Sequence, residues 1–554
     1  MTVDDAVGVP IGRRDHSSAT ALRWSAVDAL GRQGVTFTVI LILARLLSPE
    51  EFGLVGMLSI FIAIATSIVD SGFGSALIQR KEITETDRSS VFYFNIAMGA
   101  AGACTLFLAA PAIARFYRQP ILSPMMRWMG VNLFIESLAV VQVALLTKNL
   151  DFRSQFKAAF LALLLSGSVA VFMAVNGWGV WSLVAQTLVS TAVFTATAWA
   201  ICSWRPRAGF RVNSLRSLAT FGSPLLLSGL LNVMFERAHQ AIIGKAFSAA
   251  QLGFYNRAYS TQQFPSTLLS AMVGRVMLPV FSQMSGEIGV LRRNVKNALV
   301  TLMFVTLPVM AGLAVVAEPL VLVAFGRRWL PCVPYLRLLS VAGLCWPIHV
   351  VNLNITMATG RTNLFLRLEI VKKVLIAIGI ICTFRVSVLA MLWATVGVSF
   401  ASTVVNSHHS ESLIEYGLLK QLRDLSLYLA VSLPVAAAGY TVVNFIHIPP
   451  AAQLMTAIVA CVPLYVGLCH ALKLEGWTTV RNLLSRPSAW GSTDRSSAEF
   501  DKTIVGQGIP TPAAASAMWG AEPPDFGAAA QSAEPFDGNP TQHPFAEPCT
   551  RINR

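Results

Sequence analysis

The sequence is short of charge. Only 13% of its 554 residues are Asp, Glu, Lys or Arg, whereas 54% are hydrophobic; soluble globular domains carry about 25% charged residues. Because a surface in contact with water needs charged groups, a series of ordinary soluble domains is excluded. We therefore predict that lipid, rather than water, surrounds most of this chain.

Motifs for catalysis and metal binding are also missing. The sequence has no G-x-x-x-x-G-K-[ST] phosphate loop, no H-E-x-x-H and no G-x-S-x-G, so neither ATP hydrolysis nor a zinc or serine-hydrolase site is predicted. Its eight cysteines include no C-x-x-C pair and lie mostly in apolar runs, which is typical of small buried hydrophobic residues. We expect no cofactor, no metal ion and no enzymatic activity.

Fourteen apolar segments are each long enough to cross a bilayer. A hydrocarbon core of about 30 Å needs roughly 20 mostly apolar residues in a helix. The chain is therefore predicted to be an all-α polytopic membrane protein. The predicted spans lie near residues 26–46, 54–77, 91–113, 123–146, 156–175, 179–203, 218–244, 258–283, 297–317, 332–358, 364–384, 386–405, 425–446 and 451–472.

The positions of Lys and Arg in the short loops predict the orientation. Some loops are basic, as at Arg80 and Lys81, while the alternate loops include the acidic 48–51 and the uncharged 176–178. Since basic loops stay in the cytoplasm, both termini are predicted to be cytoplasmic. The net charge of +14 then indicates membrane topology rather than nucleic-acid binding. The first twenty residues lack the apolar core of a signal peptide, so we expect no cleavage there.

The sequence contains an internal repeat with an offset of 200 residues. The run Leu47–Leu54 recurs as Phe247–Phe254, and Arg45 corresponds to Lys245. Both copies fall in the predicted outer loop between the first two spans of a half. Six spans per half give both halves the same orientation, with an axis along the membrane normal. In transporters built this way, the substrate site lies between the halves.

Spans and repeat together divide the chain into six segments. These are a cytoplasmic segment over 1–25, six-helix bundles over 26–217 and 218–405, a cytoplasmic loop over 406–424, two additional spans over 425–472, and a cytoplasmic tail over 473–554. After about residue 487 the tail is rich in Ser, Ala, Gly, Pro and acidic residues. Such a segment buries too little apolar surface to offset its chain entropy, so disorder is predicted there.

Polar side chains recur inside the first two spans of each half. A charged residue in a span costs about 2.5–3.5 kcal/mol on insertion scales and tends to face a bundle interior or a wet cavity. We therefore predict that a cavity between the halves is lined by Asp28, Arg32 and Asp70 from the first half, and by Asn232, Glu236, Arg237, His239, Gln240, Gln263 and Arg275 from the second.

Simpler interpretations of these residues stay open. Arg32 and Arg275 lie in the cytoplasmic third of their spans and could extend to lipid headgroups, and Asp28 with Arg32 could form a self-neutralising pair. Glu369 is interpreted as forming a neutralised helix entry with Lys372 and Lys373. His408 and His409 are interpreted as part of a solvated loop.

Three runs of sequence carry a family resemblance. They are Ala44–Gly53, reading A-R-L-L-S-P-E-E-F-G; Asp70–Arg80, reading D-S-G-F-G-S-A-L-I-Q-R; and Leu252–Tyr259, reading L-G-F-Y-N-R-A-Y. Over about residues 20–475 the chain resembles the Wzx-type flippases of exopolysaccharide clusters. These proteins belong to the multidrug/oligosaccharidyl-lipid/polysaccharide (MOP) superfamily.

The resemblance implies a fold, a cargo and a location. The fold would be two six-helix bundles forming a V, with two additional helices, alternating between inward- and outward-open states. The cargo would be an undecaprenyl-diphosphate-linked oligosaccharide, moved from the cytoplasmic to the periplasmic leaflet of the bacterial inner membrane. A polysaccharide polymerase and other biosynthesis proteins would be partners in exopolysaccharide or lipopolysaccharide synthesis.

Roles for the polar residues follow from the same resemblance. Related lipid flippases carry cationic cavity residues on the first, second and eighth helices; here Arg32 and Arg275 occupy such helices, while the second span has Asp70. We expect both arginines to meet the diphosphate, because guanidinium offers a planar fork of donors. The expected sugar contacts are Asn95, Asn232, Arg237, Gln240 and Gln263, and the expected sites for a coupling proton or sodium ion are Asp70 and Glu236.

Other functions remain open at this stage. A cation-coupled multidrug antiporter would share the architecture, and a non-transporting membrane scaffold for biosynthesis enzymes would share the family. A membrane glycosyltransferase is the weakest alternative. Apart from the tail, no predicted loop much exceeds about 20 residues, so none could hold a substantial catalytic site.

Overall fold

A computed structural model of the chain describes residues 34–70, 72–80, 83–207, 209–283, 287–478 and 481, apart from the side chains of 217, 219–225, 267–280, 282, 283 and 362. Asp28 and Arg32, and the predicted disorder after about residue 487, lie outside the described residues. The described residues form helices and no strand.

Eight helices of the described part make up the first half. Their ends follow local sequence: Thr84 and Asp87 form a capping box at the start of α4, and Asp151 caps α7. The helices are α1 (Gly34–Leu46), α2 (Pro49–Asp70), α3 (Phe73–Gln79), α4 (Glu85–Tyr117), α5 (Leu122–Ser137), α6 (Val140–Lys148), α7 (Phe152–Val175) and α8 (Trp181–Ile201).

The second half repeats this order, and two helices follow it. Its helices are α9 (Val212–Ala246), α10 (Ala249–Gln283), α11 (Ile288–Val315), α12 (Ala317–Ala324), α13 (Val333–Gly343), α14 (Trp346–Ala358), α15 (Thr362–Thr383) and α16 (Val388–Ile414), with a 3-10 helix at Arg327–Cys332. The additional helices are α17 (Leu418–Phe445) and α18 (Pro450–Ala471).

Each predicted span overlaps a helix or a consecutive pair of helices. Among the described residues, nine helices are long and apolar enough to cross a membrane, or ten if α5 and α6, bent by 41°, form one span. The predicted class, an all-α polytopic membrane protein, is confirmed, while fourteen crossings stay a prediction. Helices α9, α10 and α15 are not among the nine, and all three carry charged residues.

The structure differs from the predicted span over 54–77. Helix α2 ends at Asp70 and α3 begins at Phe73, with Gly72 between them at φ 69°. Glycine adopts this left-handed conformation without the strain that a Cβ would add. The sequence at the break reads Asp70-Ser71-Gly72, so polar and small residues were an available signal that the predicted span passed over.

The prediction of a loop over 406–424 is wrong. Helix α16 continues to Ile414 and α17 begins at Leu418, so only a short turn separates them. The polar residues that suggested a loop form a buried network: Asn352 of α14 bonds Ser407 and Ser410 of α16 and Gln421 of α17. His408 and His409 are likewise helical rather than part of a solvated loop.

Large apolar side chains cover the outer surface of the described helices. Leu108 is 72% exposed, Phe172 is 69% exposed and Ile381 is 68% exposed. Side chains of this kind are stable at such exposure when lipid surrounds them. One apolar core joins the two halves through α2, α9 and α10, and a second packs α11 and α14 against α17 and α18.

Candidate functional site between the two halves

The halves meet where the repeated sequence runs face each other. A Cβ added to Gly53 would overlap the carbonyl of Ala249, and one added to Gly253 would overlap the carbonyl of Pro49. At the offset of 200, Gly53 corresponds to Gly253 and Pro49 to Ala249, so these are one contact made twice. The two halves are therefore related at this point by a local two-fold axis.

Two cations repeat the same exchange. Arg45 donates to the carbonyls of Val323 and Ala324 at the end of α12. Its counterpart Lys245 donates to the carbonyl of Phe116 at the end of α4. Helix α12 directly follows α11, the second-half counterpart of α4, so the two cations cap helices at similar but not identical positions of the repeat. Cations are favoured at helix C-termini, where carbonyls lack intrahelical partners.

A buried arginine completes this contact. Arg257 of α10 is 6% exposed, and its guanidinium carbon lies 4.5 Å from the ring centre of Phe52, 5.3 Å from Phe325 and 5.4 Å from Trp329. Phe52 belongs to the first half, and the other two rings belong to the second. The cation–π contacts therefore hold the halves together.

These contacts close one end of the molecule. We call it the turn end, because it contains the α1–α2 turn at 46–49 and the α9–α10 turn at 246–249. There the indole N–H of Trp329 also donates to the carbonyl of Ala44 across the halves at 2.7 Å. The turn end thus combines close backbone approach, caps and apolar packing.

A polar stripe follows α9 away from the turn end. Asn232 and Glu236 are exposed, and the amide of Asn232 donates to Glu236 Oε1 at 2.8 Å. Lys373 of α15 donates to Asn232 Oδ1 at 3.3 Å, and its ammonium lies 5.1 Å from the ring centre of Phe235. The structure therefore joins two predicted site residues to a lysine that was interpreted as part of a neutralised helix entry.

Gln240 bridges the halves at the inner limit of the turn end. Its Oε1 accepts from Ser59 of α2 at 2.8 Å and from Arg237 at 3.1 Å. Gln240 is buried, so in this conformation it links helices rather than lining open space. Arg237 reaches the boundary between the halves through the same bond.

The remaining predicted contacts are more scattered. Gln263 of α10 is half-buried and donates to the hydroxyl of Tyr259 at 2.8 Å. Asn95 of α4 is fully buried, and neither polar atom of its amide has a hydrogen-bond partner among the described residues. Arg32 and the side chain of Arg275 lie outside the described part of the chain.

Asp70 lines a cavity inside the first half. The cavity has a volume of about 620 Å³, and Glu136 of α5 also lines it. Thr66 donates to Glu136 Oε2 at 3.3 Å. All lining residues come from the first half, so Asp70 faces this cavity, whereas the sequence predicted a position between the halves. Within the described residues, no group of three His, Cys, Asp or Glu side chains could hold a metal ion.

A comparison with known protein families identifies the family of this chain. A profile described as "Polysaccharide biosynthesis protein" matches residues 42–334, which is more than half of the chain. The chain belongs to this polysaccharide biosynthesis protein family. The matched region includes both repeated runs, the α9 stripe and the first-half cavity apart from Thr36.

Three proteins named for polysaccharide biosynthesis or transport are similar in sequence to this chain. It is 31% identical over 324 residues to the succinoglycan biosynthesis transport protein ExoT of Rhizobium meliloti, covering 58% of this chain and 65% of ExoT. It is 26% identical to the teichuronic acid biosynthesis protein TuaB of Bacillus subtilis, covering 62% and 71% of the two chains. Identity to the lipopolysaccharide biosynthesis protein WzxC of Escherichia coli is 24%, covering 65% and 74%.

Solved structures show the same fold. The lipid II flippase MurJ in an inward closed conformation has a TM-score of 0.66 at 14% identity, covering 81% of this chain and 99% of that chain. An inward-facing MATE transporter of the MOP superfamily has a TM-score of 0.54 at 16% identity, covering 71% and 100%. The predicted membership of a polysaccharide biosynthesis family is therefore confirmed by the family match, and the predicted fold by these structures.

In this polysaccharide biosynthesis family member, sequence reasoning missed three residues that the geometry brings forward. Glu136 is the single carboxylate in the predicted span 123–146, and that isolation was an available signal. Ser59 and Arg257 gave no comparable signal, because their partners Gln240 and Phe52 lie about 200 residues away in the chain.

Proposed function

We propose that this chain moves a lipid-linked oligosaccharide across the bacterial inner membrane by alternating access. The relatives named for succinoglycan, teichuronic acid and lipopolysaccharide biosynthesis support a polysaccharide precursor as cargo. The expected carrier is undecaprenyl diphosphate. A polymerase would use the translocated oligosaccharide on the periplasmic side, for exopolysaccharide or lipopolysaccharide assembly.

The observation that carries the proposal is the reciprocal closure of the turn end beside a polar stripe. Contacts that repeat across a two-fold axis can open together when the halves rock apart, which is the usual motion of repeat-built transporters. With both termini in the cytoplasm, as the basic loops predict, the turn end would be periplasmic. The described conformation would then be closed toward the periplasm.

The cargo would be held at two levels. Arg32 and Arg275 would bind the diphosphate near the cytoplasmic face. Asn232 would contact sugar hydroxyls with Glu236 and Lys373, since all three combine hydrogen-bonding groups with exposure or half-exposure. Arg237, Gln240 and Gln263 would become available when the halves separate. Asn95 is left out of this assignment because it is fully buried.

The coupling ion would bind in the first-half cavity. Asp70 and Glu136 face one space lined also by the hydroxyl of Thr66, and two carboxylates in such a space suit a proton or a sodium ion. Glu236 would remain part of the cargo site or a second coupling position. Replacing Glu136 with Gln should cut transport at least tenfold without lowering protein levels. Flipping assayed in vesicles with an imposed proton or sodium gradient checks this, and unchanged gradient dependence would exclude Glu136.

The function is tested in the native host with the gene deleted. Lipid-linked repeat units should accumulate on the cytoplasmic leaflet and reach the periplasmic leaflet again when the gene is restored, as shown by a membrane-impermeant sugar-modifying reagent. Arg32→Ala with Arg275→Ala should abolish this exposure, while Arg423→Ala, on α17 outside both halves, should not. Normal exposure in the deletion strain would refute the proposal. Export with both arginines replaced would remove them from the mechanism and favour a scaffold.

A further inference from the structure

The second half contains its own cavity. It has a volume of about 160 Å³ and lies among α9, α14, α15 and α16. By chain order within each half, these are the counterparts of α1, α5–α6, α7 and α8, which line the first-half cavity. The two cavities therefore share these helix positions, and α2 and α3 line the first cavity in addition.

The two cavities have opposite chemistry. Asp70 and Glu136 line the first, whereas His239, His349 and Lys372 line the second, and no described residue lining the second cavity is a carboxylate. Glu369 of α15 lies 3.8 Å from the Lys372 ammonium. This single long contact leaves further N–H groups of the ammonium for other acceptors.

The second cavity is lined by hydrogen-bonding side chains as well as by Lys372. The amide nitrogen of Asn406 lies 3.2 Å from His349 Nδ1; if that nitrogen donates, the ring hydrogen of neutral His349 is on Nε2. The hydroxyl of Ser402 also lines the cavity. Ser402 is 3% exposed, and its Oγ has no hydrogen-bond partner among the described residues. A buried hydroxyl without a partner indicates an unfilled place for one.

We propose that this second-half cavity binds a small monovalent inorganic anion of the chloride class. The Lys372 ammonium and the Ser402 hydroxyl would donate to it, with His349 completing the site. Because Glu369 already offsets part of the Lys372 charge, the site suits no more than one negative charge. The remaining walls are apolar, formed by residues such as Ile376 and Val398, and a larger or divalent anion would lose too much hydration there.

The anion would join the helices that carry the polar stripe. Lys372 and Lys373 are adjacent on α15, but they face different groups: Lys372 lines the cavity, while Lys373 contacts Asn232 and Phe235 of α9. An occupied cavity would therefore fix α15 relative to α14, α16 and α9. This inference does not depend on which cargo the chain carries.

The test uses the purified full chain in detergent at constant sodium concentration and ionic strength. Exchange of gluconate for chloride or bromide should raise the midpoint of thermal unfolding saturably, and equilibrium dialysis with radioactive chloride should show one site per chain. Lys372→Gln and Ser402→Ala should each weaken chloride binding at least tenfold, whereas the matched change Lys373→Gln should leave it unaltered.

Two results would overturn the inference. One is an absence of bound chloride in the unmodified chain at concentrations up to the physiological range, which would leave the cavity to water. The other is chloride binding of the same strength in Lys372→Gln and Ser402→Ala, which would place the ion elsewhere. The dialysis on the unmodified chain needs no variant, so a folding defect cannot obscure the result.

Discussion

At the scale of residues, the contact between the halves depends on two glycines, which have no side chain. The repeat predicts that Gly53 and Gly253 are equivalent, but it does not predict that they touch the opposite half. The structure shows why both positions are glycine: each faces a backbone carbonyl at a distance that no Cβ allows. The repeat shows that the two glycines occupy equivalent positions, whereas their contact with the opposite half depends on how the halves pack.

Substituting either glycine should weaken the closed turn end. Overpacking of a well-packed contact costs about 1–3 kcal/mol, so Gly53→Ala and Gly253→Ala should each lower the thermal unfolding midpoint of the purified protein. Gly289→Ala on α11 is the matched control, because nothing lies within 4 Å of a Cβ added there. Equal midpoints for all three variants would contradict the described contact.

Arg257 supplies a second test at this scale. Lysine keeps the charge but loses the planar guanidinium that stacks on aromatic rings. Arg257→Lys should therefore shift the protein toward states open at the turn end, since its rings come from both halves. Labelling of a cysteine placed at Leu252 with a polar thiol reagent measures this opening, because Leu252 is fully buried beside Gly56 of the first half and its replacement keeps all three rings. A labelling rate that Arg257→Lys does not change would show that the cation–π contacts carry no closing energy.

At the scale of elements, the apolar spans are the most predictable feature. Each predicted span coincides with helix because lipid demands continuous apolar sequence and internal backbone hydrogen bonds. The breaks at Gly72 and between α5 and α6 were not predicted, although polar residues mark both, Asp70 and Ser71 at the first and Glu136 and Ser137 at the second. The loop predicted over 406–424 failed for a different reason: its polar residues bond to α14, which is distant in the chain.

The network around Asn352 should hold α17 to the second half. Its amide bonds side chains of α16 and α17, whereas the amide of the neighbouring Asn354 donates only to the carbonyl of Val350 in its own helix. Each buried group left unpaired costs about 1–3 kcal/mol. Asn352→Ala should therefore lower the thermal unfolding midpoint much more than Asn354→Ala. Similar shifts for both variants would show that the network is not a major source of stability.

At the scale of the whole molecule, the two halves share one apolar core at the turn end. Away from that end, each half has its own cavity with different polar side chains. The family and the fold could be predicted from the sequence, because the repeated runs and the apolar spans are recognisable in it. The candidate site follows only in part. The sequence identified Asn232 and Glu236, but it missed Lys373 as their partner and placed Asp70 between the halves. Those facts depend on how helices from different spans pack.

Transport by this account requires the halves to separate at the turn end, and an engineered disulfide can prevent that. A Cβ at Gly56 would meet the amide of Asn256, so Gly56→Cys with Asn256→Cys places two thiols within the range that a disulfide spans. A control bond is available outside the contact between the halves. Gly439→Cys would place its Cβ 3.1 Å from Sγ of the native Cys461, linking α17 to α18.

The decisive measurement is exposure of the lipid-linked oligosaccharide on the periplasmic leaflet in cells carrying either variant, under oxidising and then reducing conditions. The account predicts that oxidation of Gly56→Cys/Asn256→Cys stops exposure, that reduction restores it, and that Gly439→Cys exports in both conditions. Continued exposure while mass spectrometry shows the 56–256 disulfide fully formed would contradict it.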